Sequence, residues 1–161
     1  MTEERKKELS ENYVRVLEMI EAAKKTRGGD KPVTLLAATK TVPAEDICYL
    51  IENCGLKLCG ENHAQEFTDK YDAVRAAGAE MDFIGHLQTN KVKYIVGKAR
   101  LIHSLDSIKL AEEINSRAEK LGVEQKVLVE VNIGEEENKT GVNPGEVGEF
   151  LKELEAYPAI K

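Results

Sequence analysis

The 161-residue sequence has no excess of positive charge: 23 basic residues stand against 29 acidic ones, for a net charge of −6. Without surplus cations to displace phosphate counterions, the composition argues against nucleic-acid binding. Cysteines number only three, Cys48, Cys54 and Cys59. Their spacing suits neither a paired disulfide framework nor a zinc site, so reduced, mostly buried thiols are expected. No apolar run approaches the ~18 residues of a membrane span. The opening MTEERKKELSENY has no apolar core of a secretory signal, and the expected location is cytoplasmic, away from membranes. Two phosphate-binding signatures are missing as well, G-x-G-x-x-G and G-x-x-x-x-G-K-[ST], which lowers the case for dinucleotide binding or nucleotide hydrolysis.

What is present is an alternation. Leu9, Tyr13, Val16, Leu17 and Ile20 line one face of a leading helix over residues 1–27, with Thr2 as its cap. Gly28 to Pro32 stop it, and the unalternating run Val33 to Ala38 then reads as a strand buried on both faces. Further strand candidates are Leu56 to Gly60, Asp82 to His86, Arg100 to Leu105 and Lys126 to Ile133. Helical spacing fills Ala44 to Asn53, His63 to Ala77, Asn90 to Val96 and Ser107 to Leu121, and a last helix follows Pro144. With no hairpin dipeptide between strands, the pattern implies parallel pairing through right-handed crossovers, one βα unit every 23 residues or so.

Two α/β architectures fit. A five-stranded doubly wound binding module matches the length. A (β/α)8 barrel typically needs about 250 residues, so the repeats at 33–161 would then be part of one. Tyr157 to Lys161 reads as a turn entering a sixth strand, which favours the barrel.

In both folds the strand carboxyl ends carry function. They hold Thr39-Lys40-Thr41, Glu61-Asn62-His63, His86-Leu87-Gln88, Ser104-Leu105-Asp106 and the stretch Asn132 to Lys139. Lys40 follows a run of small and apolar residues and precedes a helix start at Pro43, a setting in which desolvation and the helix dipole favour the neutral amine of a Schiff-base lysine. The default for a lysine at a strand end is water. Asn62 is a hydrogen-bond donor toward a ligand at Lys40 or the N-cap of the next helix. Lys139 lies on the same rim, suited to an anionic ligand or to solvent. His63, His86 and His103 have no metal spacing, Glu135 to Glu137 lack the pattern of a calcium loop, and Ser104 is not set up as a nucleophile because neighbours on a strand face opposite ways.

Five segments together resemble the pyridoxal 5′-phosphate (PLP) homeostasis proteins: LLAATKTVP from Leu35, GENHAQE from Gly60, DFIGHLQTNK from Asp82, IHSLDS from Ile102 and VNIGEEENKTGV from Val131. That family is similar to the N-terminal barrel of alanine racemases. The resemblance implies a single domain, residues 1–161, built as a partial barrel of about five parallel strands with an extra leading helix. It implies PLP as cofactor, Lys40 as the Schiff-base lysine, Asn62 beside the cofactor, and Lys139 as a looser correspondence in the fifth-strand loop. It implies a carrier or buffer of PLP without turnover; an amino-acid racemase-like enzyme is the competing reading. The family's phosphate-cradling serine and glycine stretch has no counterpart up to Lys161, so weak or absent PLP binding and association into homo-oligomers through open barrel edges are expected.

Overall fold

The computed structural model describes residues 1–28, 31–134 and 140–161. The leading helix α1 spans Glu3–Arg27. The Thr2 hydroxyl accepts from the Arg5 N–H at 3.2 Å, while Glu3 and Glu4 sit in the first turn and Lys24, Lys25 and Arg27 in the last, each sign matching the dipole at its end. The helix buries none of its residues, which corrects the expected apolar face. Only its first half is anchored: the amino terminus reaches Glu45 at 2.6 Å, Arg5 reaches Asp46 at 2.9 Å, and Ser10 meets Tyr49 at 3.0 Å. Tyr13 packs against the core, and Val16 and Leu17, one turn further, remain exposed.

The repeats then run β1 (Ala37–Ala38), α2 (Ala44–Tyr49), β2 (Leu58–Glu61), α3 (Ala64–Ala77), β3 (Glu80–Phe83), α4 (Val92–Ile95), β4 (Ile102–Leu105), α5 (Ile108–Leu121), β5 (Val127–Val129) and α6 (Val147–Leu154). α2 widens into a π-type turn over Leu50–Cys54 and stops at Gly55, whose φ of 82° needs a residue without a Cβ. α5 shows most plainly why these segments are helical: Leu110, Ala111, Ile114 and Ala118 form one buried stripe, and Ser107 caps it through the Leu110 N–H.

All strand pairs are parallel, and the strands stand side by side in chain order, β1 to β5. A doubly wound sheet reverses direction at its switch point, so this order excludes that alternative. Crossovers of one hand, always stepping the same way, place the helices on one face, which is how a barrel is wound. After α6 the chain returns to β5: Ile160 bridges Gln125 in parallel, and Val127 donates to the Lys161 carbonyl at 2.8 Å, the sixth-strand position expected from Tyr157 to Lys161.

The layer between sheet and helices is the core. Phe67 of α3, fully buried, meets Phe83 edge-on at 6.3 Å between centroids, an arrangement worth about 0.5–1.5 kcal/mol beyond its burial. The opposite, inner face is open. β1 is shorter than the expected Val33 to Ala38 and is not buried on both sides; Val33 is 46% exposed and Ala38 lies open, because β1 is an edge strand paired with β2 alone. Leu128 in β5 is 49% exposed. Gly60 belongs to the same inner face, where a Cβ would meet the Leu36 and Ile84 side chains. Of the three thiols only Cys59 is buried, since Cys48 and Cys54 lie on the outer α2 turn.

Candidate functional site

Lys40 leaves the end of β1 in a tight turn. Thr39 continues the ladder, its N–H donating to the Gly60 carbonyl at 2.9 Å, and the Val42 N–H closes the turn on the Thr39 carbonyl at 3.0 Å. Thr39 directs its hydroxyl outward to the Glu61 carboxylate at 2.7 Å, and Lys40 follows it as the first central residue of the turn. Its side chain is exposed, which corrects the expected desolvation; β1 is an edge strand with β2 as its one neighbour in the sheet. The helix start beyond it is engaged elsewhere, with Glu45 and Asp46 of its first turn bound to the amino terminus and to Arg5.

Thr41 has φ of 64°, the single non-glycine residue with positive φ among those described. A β-branched residue avoids that region unless neighbours hold it there. The Thr41 N–H donates to Glu66 at 2.8 Å; Glu66 in turn accepts from Lys70 at 2.9 Å, and Lys70 also donates to the Thr39 carbonyl at 2.9 Å and to Glu61 at 2.8 Å. All three protons of the Lys70 ammonium are thereby used. The Thr41 N–H, followed by Lys70, holds the Glu66 carboxyl below its ordinary range. Burial works against the Lys70 charge, but its bonds to Glu61 and Glu66 win, and its pKa is raised.

Asn62 lies two residues beyond Gly60, as Lys40 lies two beyond Ala38, and Ala38 pairs with Gly60. Both therefore stand on neighbouring strand ends on the same rim. Asn62 caps nothing: the N-cap of α3 is His63, which makes no side-chain capping bond, and the Asn62 side chain has no hydrogen-bond partner among the described residues. Gly85, just past the end of β3, lies close against the Asn62 backbone, where a Cβ would overlap the Asn62 carbonyl. Asn62 lines a cleft of about 490 Å³ with His63, Gly85, His86 and Lys91 among its walls. His86 faces Asp106 at 3.3 Å. Lys139 and Glu135 to Glu137 lie outside the described residues.

The remaining histidine is a structural group: His103 Nε2 meets Asp82 at 2.9 Å, alongside Arg100. Ser104 is buried, and its hydroxyl has no hydrogen-bond partner among the described residues. No cluster of three potential ligands for a metal exists among the described residues, and none of their helices is long and apolar enough to cross a membrane. Sequence reasoning missed the Glu66–Lys70 and Asp82–Arg100 pairs. The first had a signal, an i,i+4 acid–base pair on a helix. The second joins residues 18 apart and had none.

A singly wound parallel β/α segment with a lysine on the rim at the end of its first strand defines a class, the barrel of the alanine racemases. The chain belongs to the family of the alanine racemase N-terminal domain, whose model matches residues 7–161. Among its relatives, a pyridoxal phosphate homeostasis protein of Aquifex aeolicus is 53% identical over 148 residues, covering 91% of this chain and 63% of that protein. A crystal structure of an unknown protein from Bifidobacterium adolescentis superposes with a TM-score of 0.91 at 33% identity, over 100% of this chain and 69% of that one. PipY of Synechococcus elongatus PCC7942, solved with PLP bound, gives a TM-score of 0.71 at 27% identity over 85% of this chain and 64% of that one.

Proposed function

We propose that the chain is the Lys40-bearing part of a PLP-binding protein that carries or buffers the cofactor without turnover. One observation carries this reading: Lys40 stands exposed in the turn at the end of the first strand, on the rim it shares with Asn62, whose side chain has no partner among the described residues, in a chain whose relatives include a PLP-bound protein. The residues suit the group. A primary amine is offered to its aldehyde, the Asn62 amide to its polar ring substituents, and the neighbouring cleft with His63, His86 and Lys91 to its negative charge. When bound, PLP supplies a reactive carbonyl and an electron sink. The chain's own residues hold and orient it, and Lys139 of the fifth-strand loop segment is proposed as a further cation for it. In this reading 1–161 is one domain, the leading helix 1–27 being tied to α2 and the repeats 33–161 sharing one core.

The test is reduction of a mixture of protein and PLP with borohydride, followed by peptide mapping. Adduct concentrated on Lys40 and absent from Lys40→Ala is the expected result; adduct spread evenly over exposed lysines overturns the proposal. A racemase-like activity would require an acid or base opposed to Lys40 across the cofactor, and amino-acid racemisation by the protein would favour that reading.

The open inner face and the free edge of β1 also support self-association, because an unpaired edge and exposed Leu128 are features folded proteins cover. Light scattering is expected to show a species larger than 17.9 kDa; a monodisperse monomer at high concentration argues against it.

A further inference from the structure

Beyond its backbone bonds to Gly60 and across the turn, the Lys40 turn is held by side chains on the outer side of the sheet. Lys70 is buried and, through its ammonium, ties the first residue of the turn by the Thr39 carbonyl; through Glu66 it ties the third by the Thr41 N–H. Glu61, buried at the end of β2, receives both Lys70 and the Thr39 hydroxyl, so the clamp is anchored to the neighbouring strand as well as to α3. Lys40 is the one residue between these two fixed points, and the clamp does not touch its side chain. The conformation so fixed is one that Thr41 would leave if released, since its φ of 64° is unfavourable for a β-branched residue.

We infer that Glu66 and Lys70 are positioning residues for Lys40: clamping Thr41 in the left-handed conformation keeps the Lys40 amine on the rim it shares with Asn62, where it meets an aldehyde. Released from Glu66, Thr41 relaxes to negative φ, the Lys40 peptide planes rotate, and the amine spends less time on the rim. This rests on the reading of Lys40 as the cofactor lysine. It adds a role for two residues that face away from the cofactor side and that a contact map of the site would omit.

The experiment compares rates of capture by PLP with cyanoborohydride at Lys40 and at Lys7, an exposed lysine of α1, by peptide mass spectrometry. In Glu66→Ala the ratio of Lys40 to Lys7 capture is expected to fall about tenfold, as a loss of roughly 1.4 kcal/mol in orientation would produce. Glu66→Leu, close in volume but with no oxygen to accept from the Thr41 N–H, serves if the alanine variant folds poorly, and is expected to fall in the same direction. In the double variant Glu66→Ala with Thr41→Gly most of the ratio should return, because glycine adopts positive φ without a clamp. A role confined to overall stability predicts no such rescue. Preferential capture at Lys40 that survives in folded Glu66→Leu, or a double variant no better than Glu66→Ala, overturns the positioning role alone. Equal capture at Lys40 and Lys7 in the unaltered chain overturns the cofactor reading, and the positioning role with it.

Discussion

Asp82 and Arg100 meet in two parallel hydrogen bonds, Nε to Oδ1 at 2.8 Å and Nη2 to Oδ2 at 2.6 Å, with the carboxylate fully buried. His103 adds a third contact, to the same Oδ2. The hydrogen bonds to Asp82 raise the Arg100 pKa against the partial burial that opposes it. Removing one partner of such a pair leaves a charge in the interior. Arg100→Ala should therefore destabilise the protein by about 2 kcal/mol, less than the 3–5 kcal/mol of a fully buried pair because part of Arg100 reaches solvent. Arg100→Lys should restore only part, since an ammonium cannot make the two-pronged contact. Urea titrations of the variants measure both.

Gly85 has no space for a side chain against the Asn62 carbonyl. Because the obstacle is backbone, Gly85→Ala must push the ends of β2 and β3 apart, at a cost of roughly 1–3 kcal/mol, as in overpacked cores. The same shift displaces Asn62. Thermal melting together with PLP capture at Lys40 should show both losses in one variant, whereas Gly148→Ala, where a Cβ meets nothing within 4 Å, should leave both unchanged.

The Cys59 thiol is pushed up to about 12, first by burial and then by the nearby Glu61 charge. Cys48 is raised more modestly, by burial. At pH 8 the reactive thiolate of Cys59 is a vanishing fraction, so a water-soluble alkylating agent should modify Cys54 and Cys48 in the folded protein and Cys59 only after denaturant is added. Mass mapping after a timed pulse checks this; rapid labelling of native Cys59 contradicts it.

The clamp at the Lys40 turn carries a pH dependence whose sign is set by Glu66. Its folded pKa lies below the ordinary value, so its contribution is complete above roughly pH 4.3, the unfolded carboxyl's pKa, and fades as pH falls through the lower folded value. Lys70, raised when folded, contributes fully below roughly pH 10.4 and loses its contribution as pH climbs through its folded value. The Thr41 amide resonance should titrate with Glu66 at a pKa below that of a model glutamate; a midpoint at or above the model value contradicts the bond.

The order of elements was readable because each helix carries its own stripe and each strand its own apolar run. Thr2 announces the start of the leading helix through chemistry confined to a few residues. Burial was harder to read. Val33 to Ala38 has the composition of an interior strand, yet β1 stands at the edge, and edge or centre is a property of the whole sheet rather than of six residues. At the candidate site, Lys40 and Asn62 were singled out through motif resemblance. What holds them was not, because Lys70 and Glu66 act on the turn from a helix more than 20 residues away and look, in sequence, like an ordinary solvated pair.

The strictly sequential order of β1 to β5 has a kinetic consequence. Every strand finds its partner by closing a loop of only about two dozen residues, so search entropy stays low for a parallel sheet, which otherwise folds slowly. Assembly can advance one βα unit at a time, each new strand templated on the last, and cooperative units that open separately in hydrogen exchange would follow the same boundaries. The sheet behaves as a staircase that can grow from β5, and the Ile160–Gln125 bridge is its next step.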